Sequence, residues 1–269
     1  MPSDQILVDA KWLEVRSTDP VTLIDARAAA DYWTGHLEGA RHLDPFPFHF
    51  YDTSPKGIEE FGQQIEWIFS ALGITGSETI ICYEDDSGMR SARAFWMLEY
   101  AGHPSVRILD GGIRALSTPL EREAQPVTPT KFGLNRHADT LATVDQVLHR
   151  LGKADTQIFD VRSDAEYFGE NVRARYGGAI PGALHLDWAQ CLDPGGRFKS
   201  AAELRDQFAR LGLDQNREII TYCQGGYRAA HTYVGLKLAG YHHVRNYLGS
   251  WGEWGNRDDL PIEHPRRPK

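Results

Sequence analysis

Short apolar runs alternate with amphipathic stretches along most of this chain. In its second half, Thr156 to Val161, Glu218 to Tyr222 and Val244 to Leu248 are compact apolar segments of strand length. Between them, Ala202 to Leu211 and Tyr227 to Ala239 carry apolar residues at helical spacing and stop at Gly212 and Gly240, where left-handed capping residues belong. Short buried strands separated by helices predict a parallel sheet with helices on both faces. The expected fold class is α/β.

The pattern occurs twice. Leu23-Ile-Asp25-Ala-Arg27, Asp31-Tyr32-Trp33 and Gly35 to Ala40 return as Ile158-Phe-Asp160-Val-Arg162, Glu166-Tyr167-Phe168 and Gly178 to Ala183, with an insertion from Glu170 to Gly177 in the second copy. Ala101-Gly102-His103 likewise matches Ala239-Gly240-Tyr241. With 269 residues the chain suits two domains of ordinary size. The expected division is residues 1–120, a linker over 121–139 that begins in a proline-rich, charged stretch, and residues 140–269.

Composition narrows the partners. The net charge of −8, from 29 basic and 37 acidic residues, disfavours nucleic acid and anionic membranes, so an anionic substrate needs a local basic pocket. No uncharged stretch approaches the roughly 18 residues of a membrane span, and the N-terminus carries acids early rather than a leader-length apolar run. Cys82, Cys191 and Cys223 form an odd, widely spaced set that suits a reducing compartment, and the cytoplasm is the expected location. No metal or cofactor is expected: His242-His243 lacks partner ligands and no Cys-x-x-Cys occurs. A monomer is expected, since one chain carries both repeats.

The chemistry concentrates at one cysteine. Glu218 to Tyr222 runs as a strand into Cys223-Gln-Gly-Gly-Tyr-Arg228 and then a helix, which turns backbone N–H groups and a positive helix end toward the sulfur. An unperturbed thiol is only about 3% ionised at pH 7, and such a cradle favours the nucleophilic thiolate. Gly225 and Gly226 are expected to let successive N–H groups converge on Sγ, and Arg228 adds a charge that is not lost near neutral pH. Cys82 lies inside a strand and reads as packing; Cys191, before Pro194, reads as an incidental loop residue.

The two repeats, the cysteine loop in the second and the trailing Gly249-Ser-Trp-Gly-Glu-Trp-Gly255 resemble the tandem-domain rhodaneses, the thiosulfate sulfurtransferases, over nearly the whole chain. The resemblance implies two rhodanese-like domains and a Cys223 persulfide that passes sulfur from thiosulfate to cyanide or a thiol. It implies substrate contacts from the loop residues Gln224, Gly225, Gly226, Tyr227 and Arg228. Arg173 and Arg175, in the insertion, are candidates for the sulfonate, and Trp251, like Trp254, for a pocket wall. Asp160 and Arg162 read as a structural ion pair because Asp25 and Arg27 repeat them. His231 receives no role, because sulfur transfer from a thiolate needs no base. Aligning Gly102 with Gly240 puts Asp85 opposite Cys223 and Arg90 opposite Arg228, so the N-terminal domain is expected to be inactive.

Three rivals remain. Cysteine phosphatases place five residues between cysteine and arginine, whereas four stand here, which suits a single sulfur atom. A 3-mercaptopyruvate sulfurtransferase would resemble Cys-Gly-Ser-Gly-Val-Thr at the loop, and Tyr227 and Arg228 point instead to thiosulfate. A sulfur carrier loaded by a protein partner would use the same loop.

Overall fold

The computed structural model describes residues 6–15 and 21–267; the first five residues of the stretch read for a leader lie outside them. Strands β1 (Leu7–Val8), β2 (Val21–Asp25), β3 (Arg41–His42), β4 (Thr79–Tyr83) and β5 (Val106–Leu109) form a parallel sheet in the order β1-β5-β4-β2-β3. Helices α1 (Ala10–Val15), α2 (Ala29–Thr34), α3 (Pro55–Ala71) and α4 (Met89–Tyr100) connect them. The second repeat supplies β6 (Leu141–Ala142), β7 (Thr156–Asp160), β8 (Leu184–His185), β9 (Glu218–Tyr222) and β10 (Val244–Tyr247), in the matching order β6-β10-β9-β7-β8. Its helices are α5 (Val144–Arg150), α6 (Asp164–Tyr167), α7 (Ala201–Arg210), α8 (Tyr227–Leu238) and α9 (Ser250–Trp254). The α/β fold is therefore present twice.

Central strands are apolar because both of their faces are covered. Ile80 to Tyr83 in β4 and Ile219, Ile220 and Tyr222 in β9 have no exposed surface. Cys82 is part of that core, and burial pushes its thiol well up. Cys191 is not an incidental loop residue: it is fully buried beneath α8, and burial raises its thiol to about 12.

Each repeat carries the same buried brace at the end of its second strand, β2 or β7. Arg162 Nη2 meets Asp160 Oδ2 at 2.6 Å and donates to Gly178 O at 2.7 Å; Arg27 does the same to Asp25 and Gly35 at the same distances. The tyrosine that ends the neighbouring strand completes the device, Tyr222 accepting from Ile180 N at 3.0 Å and Tyr83 from Leu37 N at 3.1 Å. A buried ion pair survives only when its remaining hydrogen-bonding groups are satisfied, as they are here by the chain that returns after α2 and α6.

Two compact units result, and neither is a simple half of the sequence. Of the described residues, unit 1 joins 6–15, 21–48 and 59–137 with Leu192–Phe198, and unit 2 joins His49–Ile58 with 138–191 and 199–267. Each thus includes a short segment from the loop preceding α3 or α7 of the other repeat. The polar run expected as a linker is laid along unit 1: Glu121 N donates to His36 O at 2.9 Å, His137 N to Tyr100 O at 2.8 Å, and Phe132 is 2% exposed. Backbone pairing overrides its polar composition.

Candidate active site

The site begins where β9 ends. Cys223 is the first residue after Tyr222, and Gly226, at φ 82°, turns the chain into α8. That left-handed conformation is open to glycine at little cost. Gly226 N donates to Cys223 Sγ at 3.2 Å, so the sulfur sits one residue from the positive end of a twelve-residue helix. Gly225 has a different role from the one expected. Its φ is not positive; instead a Cβ there would stand 2.9 Å from His49 Cδ2.

The loop is held from outside by the chain after β10. Cys223 N donates to Ser250 Oγ at 3.2 Å, Cys223 O accepts from Trp251 N at 2.9 Å, and Gln224 O accepts from Gly252 N at 2.8 Å. Asn246 Nδ2 donates to Gly226 O at 2.9 Å. With its carbonyls engaged outward, the loop is preorganised around Sγ, and Cys223 itself is only 1% exposed. Ser250 holds φ 52°, the one such non-glycine residue described, and its hydroxyl is fixed by a 2.8 Å bond to Tyr247 O.

Arg228 lies in the first turn of α8, and the Cys223 sulfur is among the groups that raise its guanidinium. It does not stand alone. Its guanidinium meets Glu166 in two bonds, Nη1 to Oε2 at 2.5 Å and Nη2 to Oε1 at 2.9 Å. Burial alone would lower Arg228, but Glu166 and the cysteine raise it. Burial likewise works against the Glu166 carboxylate, yet Arg228 and the Ser163 hydroxyl outweigh it and hold the carboxyl at about 2. Ser163 and Glu166 also form the capping box of α6, so one carboxylate both starts that helix and orients the arginine. Sequence pattern does not place Glu166 in the site: the Ser-x-x-Glu spacing marks its capping role, but not its partner 62 residues away.

The other expected residues separate. Arg173 Nη1 reaches Glu166 Oε1 at 3.3 Å with a half-exposed side chain, and its carbonyl accepts from Gln224 Nε2 at 3.1 Å. The insertion is therefore tied to the cysteine loop. Arg175 is turned instead to Asp258 at 2.7 Å and Asn256. Trp251 is 1% exposed, lies under the Arg162 guanidinium at 4.5 Å and donates to Tyr176 O, so its ring belongs to the core beneath the loop; Trp254 is fully buried as well. Tyr227 is 4% exposed, with its ring 4.7 Å from that of His49.

The segment His49–Ile58 supplies residues that no local pattern announced. Thr53 N and Oγ1 donate to the two oxygens of Glu253 at 2.9 and 2.7 Å, and Val144 N donates to Thr53 Oγ1 at 2.8 Å. Those bonds lay His49 and Tyr51 against Gly225 and Gly252.

In unit 1 the strand ladder corrects the repeat alignment. Tyr83 pairs with Asp25 as Tyr222 pairs with Asp160, so Glu84, not Asp85, is the counterpart of Cys223. Both helices start at matching residues, so the loop Glu84 to Gly88 is one residue longer than Cys223 to Gly226. Glu84 Oε1 accepts from Arg90 N and Ser91 N at 2.7 and 3.0 Å, and enclosure raises its carboxyl to about 7 despite those donors. Arg90 pairs with Asp44.

This architecture, a cysteine loop between a parallel strand and a helix with the same frame repeated upstream, is that of a rhodanese-like domain. The rhodanese-like domain family matches residues 9–118 and again 143–257, and the chain belongs to the rhodanese family of sulfurtransferases. A thiosulfate sulfurtransferase of Azotobacter vinelandii is 35% identical over 262 residues, covering 96% of this chain and 97% of that protein. The sulfur carrier protein TtuD of Thermus thermophilus is 34% identical over 280 residues, covering 96% of each. Among solved structures, the anaerobic ergothioneine biosynthesis enzyme of Chlorobium limicola superimposes with a TM-score of 0.86 at 22% identity, over 98% of this chain and 71% of that one, a likeness of fold. No helix among the described residues is long and apolar enough to cross a membrane.

Proposed function

We propose that the protein is a thiosulfate sulfurtransferase in which Cys223 carries the sulfur. The observation that supports this most is the Gly226 N–H directed at Sγ at the start of α8, with Arg228 beside it. The Cys223 thiolate attacks the outer sulfur of thiosulfate; the new S–S bond forms as the old one breaks, and sulfite leaves with the electron pair. The persulfide anion then lies in the N–H cradle, with the negative charge next to Arg228. Cyanide or an acceptor thiolate attacks the terminal sulfur, giving thiocyanate or a new persulfide and returning the Cys223 thiolate. Gln224, Gly225, Gly226 and Tyr227 shape the cradle, and Arg173 faces the donor. Arg175 and Trp251 support the site through Asp258 and the core. The N-terminal domain, with a carboxylate in the sulfur position, is proposed to be inactive.

Intact-mass spectrometry after incubation with thiosulfate is expected to show a gain of one sulfur atom, removed by cyanide and absent from Cys223→Ser. A sulfur-free wild-type mass would overturn the reading. The likeness to a sulfur carrier favours a second form of it, in which a protein partner loads Cys223; slow loading by thiosulfate and by 3-mercaptopyruvate, with fast loading by a cysteine desulfurase, distinguishes that case.

A further inference from the structure

The segment His49–Ile58 comes from the first repeat's sequence but belongs to the compact unit that holds Cys223. Its anchor is deep. Thr53 is 2% exposed and bonds both oxygens of Glu253, which also accepts from Tyr247 Oη at 2.8 Å. Two residues earlier, Tyr51 lies in a notch cut by two glycines. A Cβ on Gly252 would stand 2.1 Å from Tyr51 Cε1, and one on Gly225 would stand 3.4 Å from the same atom. These are the glycine of the cysteine loop and the glycine whose N–H holds Gln224 O. The ring is thus seated against both walls of the loop while 42% of the residue stays exposed.

Tyr51 Cε1, the carbon next to the one that bears the hydroxyl, is the ring atom set against both Gly252 and Gly225, so the phenol end lies beside the cysteine loop. Burial raises the phenol, the Cys223 sulfur raises it further and Arg173 lowers it, so the hydroxyl lies within electrostatic range of both groups. Arg173 has guanidinium donors beyond the Nη1 that meets Glu166, and its side chain is half exposed. A neutral hydroxyl donor and a cation at the rim of a buried thiol make a receptor for an anion whose other end reaches the sulfur.

We propose that Tyr51 is a specificity-determining residue of the Cys223 site, its hydroxyl joining Arg173 to hold the oxyanion end of the sulfur donor. The inference rests on the persulfide reading above and names the donor class: a small molecule with a transferable sulfur and a sulfonate or carboxylate. Cyanide, lacking that group, does not use the hydroxyl. Tyr51 therefore acts in loading and is idle in unloading to cyanide.

Steady-state kinetics of Tyr51→Phe test this, because phenylalanine keeps the ring in its notch and removes only the hydroxyl. The KM for thiosulfate is expected to rise about tenfold, the scale of one hydrogen bond to a charged group, while kcat and the KM for cyanide stay within about twofold. A matching rise with 3-mercaptopyruvate indicates recognition of any oxyanion; a rise with thiosulfate alone restricts the hydroxyl to the sulfonate. An unchanged thiosulfate KM in a variant that still loads sulfur overturns the role of Tyr51 and leaves the persulfide reading intact. Equal changes in the thiosulfate and cyanide constants overturn it too, since packing alone would do that. If wild-type protein takes sulfur from neither donor, the reading of the site and this role fall together.

Discussion

The loops after β4 and β9 occupy the same place in the same frame, yet they hold opposite chemistry. Both follow a tyrosine that braces a buried Asp–Arg pair, and both feed a twelve-residue helix with arginine at its second residue. In unit 2 the position after the strand is a thiol, and the arginine of the following helix is bonded to Glu166. In unit 1 that position is Glu84, which reaches into the helix N-terminus and takes the first-turn N–H groups itself. The strand-to-helix cradle is common to both repeats, and what fills it differs. One extra residue in the unit 1 loop, with Asp85 and Asp86, gives a carboxylate the length to close its own cradle.

The two carboxylates beside these cradles have moved in opposite directions, and this gives the largest expected contrast. Glu166 is held at about 2 against an ordinary 4.5, so its contribution is present above pH 4.5 and is lost as pH falls from there through 2. Glu166→Gln is expected to lower the unfolding free energy at pH 7 by about 3 kcal/mol, because Arg228 loses its charged partner, and to flatten that acid limb. Urea titrations between pH 2 and 8 measure both; an unchanged stability at pH 7 would remove Glu166 as the support of Arg228.

Glu84 gives the reverse sign and a smaller effect. Its carboxyl is raised from 4.5 to about 7, so stability is lost as pH rises through that interval, where the unfolded chain releases a proton that the folded one retains. Glu84→Gln is expected to stabilise the protein by about 2 kcal/mol at pH 8 and by nothing measurable at pH 4, in the same titrations. A gain of equal size at both pH values would show that charge is not the cause.

The smallest expected effect is the sharpest test of the comparison. Glu84→Cys restores a thiol at the strand position, but Asp85 and Asp86 still repel an anionic donor and the loop remains too long. Incubation with thiosulfate is expected to add one sulfur per chain, as in the wild type. A second sulfur would show that residue identity alone, and not loop length, separates the repeats.

Much of this was legible along the chain. The repeat was visible because both copies must build the same sheet, and the Cys223 loop was visible because strand, glycine turn and arginine are neighbours in sequence. Alignment on the helix-end glycine sets the counterpart of Cys223 one residue too far along, since it cannot register an intervening loop of unequal length; the strand ladder can. The sequence predicts backbone freedom at Gly225, whereas its missing side chain makes room for His49.

By itself the sequence determined what is local: two α/β repeats, the strands and helices that frame them, the thiol at Cys223 and the arginine that follows it. The tertiary structure alone decided which charge meets that arginine, which residue seals the other cradle and which distant segment covers the cysteine loop. Glu166 lies 62 residues from Arg228, and Thr53 lies 200 from Glu253. Periodicity and turn chemistry act over a few neighbours, while burial makes a charged or polar group find a partner wherever the folded chain brings one within reach.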